Sequence, residues 1–139
     1  MPSYAHSVDI VAPVAAVWAV TCDIEGWPNW SPTMDSIRRE EAGPIRAGSR
    51  ALVQQPKLRP ATWIVDVADE NWNFTWHTKG PGYRITAVHR LAPITDGCRV
   101  DLELHMTGAM SGLIWALTGK TARKYLDQEA EALKGRCEA

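Results

Sequence analysis

Four histidines, three cysteines and three tyrosines supply the side chains of this sequence best suited to proton transfer or nucleophilic attack near neutral pH. Alternation within strand-like runs turns His6 and His89 inward and leaves His77 and His105 facing water. An inward imidazole can hydrogen-bond a ligand oxygen or shuttle a proton, and it can equally be satisfied by a neighbouring side chain. Tyr83 shares the inward parity of His89 beside a turn, where a phenol could assist proton transfer or cap a rim. Other chemistries find no constellation. The inward face carries no pair of carboxylates, no His/Cys/Asp cluster at metal spacing and no cysteine close in the pattern to a histidine, so neither a metal nor any other cofactor is expected. Gly43-Pro44 and Gly80-Pro81-Gly82 read as turns, because neither opens a helix after a strand as a phosphate loop must.

The elements that would position these residues follow from periodicity. Tyr4, His6, Val8 and Ile10 alternate with Ala5, Ser7 and Asp9 as in a half-buried strand. Pro13 then suits a helix start, with Val14, Val17 and Trp18 on one face of a segment ending near Cys22. The stretch from Asp23 to Pro32 contains Trp27, Trp30 and two prolines, which predicts a second short helix or turn. From Asp35 on, turn signals at Gly43–Gly48, Lys57–Pro60, Asp69–Asn71, Lys79–Gly82 and Asp96-Gly97 divide an antiparallel meander.

A two-residue turn at Asp96-Gly97, residues that tolerate positive φ, predicts Leu91 opposite Leu102, His89 opposite Leu104 and Ala87 opposite Met106. The Lys79–Gly82 turn predicts Trp76 opposite Ile85, Phe74 opposite Ala87 and Trp72 opposite His89. The next hairpin predicts Val67 against Trp72, Val65 against Phe74 and Trp63 against Trp76. One face then gathers Trp63, Val65, Val67, Trp72, Phe74, Trp76, Ile85, His89, Leu102, Leu104 and Met106. The other gathers Asp66, His77, Arg84, Arg90, Arg99, Asp101, Glu103 and His105. Trp115, Ala122, Leu126, Ala130 and Leu133 recur at helical spacing from Ser111 to Lys134, Arg123 and Asp127 sit four apart, and Gly135 is placed to cap the end.

Composition bounds the function. The chain has 139 residues, 45% hydrophobic and 22% charged, with a formal net charge of −1, which fits one globular domain over 1–139 and gives no basic face for nucleic acid. The odd cysteine count, Cys22, Cys98 and Cys137, fits no disulfide framework and points to a reducing cytoplasm. No apolar run approaches the ~20 residues of a membrane span. The stretch Ile10–Cys22 is interrupted by Pro13, follows Asp9 and has no Lys or Arg before it, so export is not expected. Seven tryptophans accompany one phenylalanine, and such rings either fill a core or line a hollow one.

Ile10-x-Ala12-Pro13-x-x-x-Val17-Trp18, Asp23-x-x-x-Trp27-Pro28-x-Trp30 and Gly43-Pro44-x-x-Ala47-Gly48-Ser49 resemble the START-like, Bet v 1-like (SRPBCC) superfamily, in particular its polyketide cyclase/dehydrase-type proteins. The resemblance spans nearly the whole chain. It implies an α+β helix-grip fold: a curved antiparallel sheet of about seven strands around a long C-terminal helix, with two short helices after the first strand. It also implies a cavity between sheet and helix for a small, largely apolar molecule, aromatic or polyketide-like among the options. Trp63, Trp72, Phe74, Trp76, His89, Leu104, Met106 and Trp115 are the candidate ligand-binding residues, and Trp18 reads as core. Trp27 and Trp30 could gate the cavity or anchor a loop. Binding is the first reading; a metal-free cyclase or dehydratase using His89 and Tyr83 is the alternative, and a protein-interaction module the third. Such a protein would act as a monomer or homodimer.

Overall fold

The computed structural model describes residues 2–139. Its elements run β1 (Ser3–Ile10), α1 (Val14–Cys22), a 3-10 helix (Ile24–Asn29), β2 (Ser36–Arg39), β3 (Arg50–Gln54), β4 (Ala61–Asp69), β5 (Asn73–Gly80), β6 (Tyr83–Ile94), β7 (Gly97–Thr107) and α2 (Ser111–Glu138). The seven strands form one antiparallel sheet in the order β1-β7-β6-β5-β4-β3-β2, and α2 packs against β1, β7 and β6. This is the helix-grip α+β arrangement. Pro13 takes the N-cap of α1, its carbonyl accepting from the Ala16 and Val17 amides at 3.0 and 3.1 Å.

Face assignment holds along most of the meander, but each hairpin is shifted by two residues. Leu91 stands opposite Val100, His89 opposite Leu102 and Ala87 opposite Leu104. The loop residues are Thr95 and Asp96, and Gly97 pairs with Ile94 as the first residue of β7. Gly97 is not in a positive-φ conformation. A Cβ there would lie 2.0 Å from the Ile10 carbonyl oxygen, so close backbone approach is what requires the glycine. In the β5–β6 hairpin Gly80 pairs with Tyr83, Phe74 with His89 and Trp76 with Ala87. Pro81 and Gly82 form the turn, with Gly82 at φ 75°, as a Pro-Gly turn of type II requires. Arg90 pairs in register with Asp101, and its guanidinium reaches diagonally to Glu103.

A bulge between Val65 and Val67 overturns part of the third hairpin. Val65 pairs with Trp76, but beyond the extra residue Val67 pairs with Thr75 and Ala68 with Phe74, so Val67 leaves the inner face. Trp72 precedes β5 in the three-residue turn that follows Asp69 and is 55% exposed, although its carbonyl still accepts from the Leu91 amide at 2.9 Å. His77, expected in water, is on the outer face yet only 7% exposed: its Nδ1 bonds Asp66 at 2.8 Å, and Arg84 lies 3.5 Å from the same carboxylate. Gly135 does not end α2, which continues to Glu138. Asp127 meets the Tyr4 hydroxyl at 2.8 Å and His6 at 3.5 Å rather than an ion-pairing Arg123.

The core has two parts. Leu126, Ala130 and Leu133 of α2 pack with Val8, Ile10, Val17, Leu91, Cys98, Val100 and Leu102. Trp27 of the 3-10 helix packs with Ile37, Val53, Trp63, Val65, Phe74 and Trp76 over the other half of the sheet. Among the described residues no helix is long and apolar enough to cross a membrane.

Candidate functional site

Alternate turns of a meander fall at the same end of a sheet. The β3–β4 loop, the β5–β6 turn and the approach to α2 therefore meet, while the turn carrying Trp72 lies at the other end. Where they meet, the first half of α2 leaves a cleft of about 690 Å³ over the inner face. Trp63, Ile85, Leu104 and Met106 form its sheet wall, with Ile114, Thr118, Thr121 and Ala122 of α2 opposite. Its rim holds Gln55, Lys57, Leu58, Arg59, Pro60, Lys79, Pro81 and Tyr83.

Small residues explain why the helix leaves space. Ala122 and Thr118 face the cleft, whereas Leu126, Ala130 and Leu133, further along α2, fill the space below them. The Thr118 hydroxyl folds back onto the Ile114 carbonyl at 2.8 Å, and the Thr78 hydroxyl donates to the Thr62 carbonyl at 2.8 Å, so both present mainly methyl groups. Tyr83 lies across Gly80, where a Cβ would fall 2.2 Å from its ring. Its hydroxyl bonds no other described residue, leaving it free at the rim.

Among the candidates from sequence, Trp63, Leu104, Met106 and Tyr83 meet at this cleft. Phe74 and Trp76 lie in an aromatic cluster around Trp27, whose ring centroid stands 6.3 Å from Phe74 and 5.4 Å from Trp76. Trp27 is 1% exposed and its indole N–H donates to the Thr21 carbonyl at 3.1 Å, which makes it an anchor rather than a gate. Trp63 joins this cluster to the cleft, 5.1 Å from Trp76. Trp115 lies along its own helix against Gly119, and Trp72 is at the opposite end of the sheet.

His89 is 3% exposed and does not reach the cleft. Its Nδ1 donates to the Phe74 carbonyl at 3.0 Å, and its Nε2 lies within hydrogen-bond distance of the Glu129 carboxylate of α2, at 3.1 Å. Both ring nitrogens are thus held by the protein. The Glu129 contact was not legible in the sequence, since helical spacing alone does not pair residue 129 with a strand. The rim and helix residues Ile114, Thr118, Lys57, Arg59 and Lys79 were also missed as site residues; the signal was that two turns separated by two strands share an end.

Burial pushes all three thiols up, Cys22 to about 12, so none is an activated nucleophile at neutral pH. Among the described residues no three His, Cys, Asp or Glu side chains gather as a metal site needs.

A seven-stranded sheet gripping a long helix, open between the two, defines a helix-grip protein. Over residues 1–138 the chain matches, and belongs to, the family described as polyketide cyclase / dehydrase and lipid transport. No curated protein matches the sequence. Among solved structures it is similar to the KanY protein, with TM-score 0.75 and 24% identity, covering 99% of this chain and 98% of that one. It is similar also to Ara h 8.0201, with TM-score 0.77 and 12% identity over 98% and 97% of the two chains. The di-domain ARO/CYC StfQ from the steffimycin biosynthetic pathway gives TM-score 0.77 and 12% identity, covering 98% of this chain but 50% of StfQ. These likenesses show the fold.

Proposed function

We propose that residues 1–139 act as one domain that binds a small, largely apolar molecule in the cleft between the sheet and α2. The observation carrying this reading is the cleft of about 690 Å³ with Trp63, Ile85, Leu104, Met106 and Ile114 in its walls, a volume in the range of small-molecule sites. Ile85, Leu104 and Ile114 are only half-buried there, with Trp63 and Met106 packed behind them, and a ligand that covers this surface gains about 25 cal/mol per Å². Trp63 offers a flat face for an aromatic ring, and Tyr83 offers a hydroxyl for a polar substituent. Proton transfer by His89 and Tyr83 together has Tyr83 at the cleft but His89 outside it, so binding is the reading carried forward. Three free cysteines support work in a reducing cytoplasm.

Titration with the uncharged dye N-phenylnaphthylamine tests this reading. Saturable dye enhancement with quenching of tryptophan is expected. Ala122→Trp, which fills the cleft from the helix side, should weaken it at least about tenfold while the thermal transition shows a folded protein. Unchanged affinity in folded Ala122→Trp would place the dye elsewhere.

A further inference from the structure

The rim of the cleft carries Lys57, Arg59 and Lys79 and no aspartate or glutamate. This single sign is unusual in a chain whose formal net charge is −1. Elsewhere Arg46, Arg50, Arg84, Arg90, Arg99 and Lys134, half of the other twelve cations, each lie beside a carboxylate. None of the three rim cations has such a partner among the described residues. Three like charges around one opening repel one another, and a polar rim could be built without them. Their arrangement is useful when an anion arrives, because a cleft of one sign with apolar walls concentrates the field at its mouth.

The loop bearing two of them is tied down on both sides of the cleft. The Tyr125 hydroxyl of α2 donates to the Pro56 carbonyl, and the Gln55 amide donates to the Thr33 carbonyl at 3.2 Å. Lys57 itself holds a left-handed backbone, φ 66°, next to the Pro56 tether. Long cationic side chains thus project from a fixed base toward the end of an apolar slot.

Resting on the binding function proposed above, we infer that the ligand is an amphiphile: an apolar body lies against Trp63, Leu104 and Met106, and an oxyanion head, carboxylate or phosphate, meets Lys57, Arg59 and Lys79. Charge-assisted hydrogen bonds from these groups favour such a head over a hydroxyl of similar size.

Dodecanoate, dodecyl phosphate and dodecanol, each below micelle-forming concentration, separate the possibilities by displacement of N-phenylnaphthylamine. Either anion should bind at least about tenfold tighter than dodecanol at low ionic strength, the tighter of the two naming the head group. The preference should shrink in about 0.5 M salt, a readout that needs no variant. The triple variant Lys57→Gln, Arg59→Gln, Lys79→Gln should lose the preference for either anion over dodecanol. Equal binding of anions and dodecanol, or a preference that survives the triple variant, overturns the anionic head and leaves the apolar cleft standing. Failure of all three chains to displace the dye overturns both.

Discussion

Removing the His89 imidazole leaves the Glu129 carboxylate without its partner beneath α2. His89→Leu should therefore cost about 3–5 kcal/mol in urea unfolding, the range for breaking a buried pair from one side. Glu129→Gln keeps an acceptor and should cost less than half as much. A His89→Leu protein within 1 kcal/mol of the parent would show that this contact does not tie the helix to the sheet. The thiols give a pH dependence. Cys22 is raised from 9.0 to about 12 by burial, with Glu70 adding to the shift. Above pH 9 the unfolded chain releases this proton while the folded chain keeps it, so stability falls as pH rises from 9 toward 12, and the group has no such effect below pH 9. Cys22→Ala should flatten part of that decline, measured as the urea midpoint at pH 8 and pH 10. Equal declines in both proteins would count against a buried Cys22 thiol.

At the scale of elements, Gly97 shows how a turn signal can be right in place and different in cause. Its conformation is ordinary, but the Ile10 carbonyl occupies the space a Cβ needs. Gly97→Ala should cost about 1–3 kcal/mol by forcing β1 and the hairpin apart, and a neutral effect on the urea midpoint would refute that packing. The hairpins also explain what could be read beforehand. Apolar alternation fixes which face a residue takes, and a shift of two residues leaves every face unchanged, so Phe74, Trp76, His89 and Leu104 were placed inward with the wrong partners. Register depends on which residues form the turn, as Pro81-Gly82 and Thr95-Asp96 do here. The bulge at Asp66 changes face as well as register, and alternation cannot reveal it, so Val67 was misplaced for that reason; Trp72 lies in the turn just before β5.

Over the whole molecule, the order of elements and the grip of sheet on helix were legible because each strand and α2 carries one apolar face. The division of that interior was not. Tryptophan count could not distinguish a filled core from a lined hollow: Trp27, Phe74 and Trp76 pack into the core, and of the tryptophans Trp63 alone borders the cleft. The difference arises from small side chains on α2 and from the end of the sheet at which each loop falls. Ligand-induced NMR shifts measure the central claim most directly. With N-phenylnaphthylamine at saturation, the largest changes should fall on Ile85, Leu104, Met106, Ile114 and Thr118, with little change at His77 and Trp72. Largest shifts on the outer sheet face or around Trp72, with the cleft residues unmoved, would contradict binding between sheet and helix.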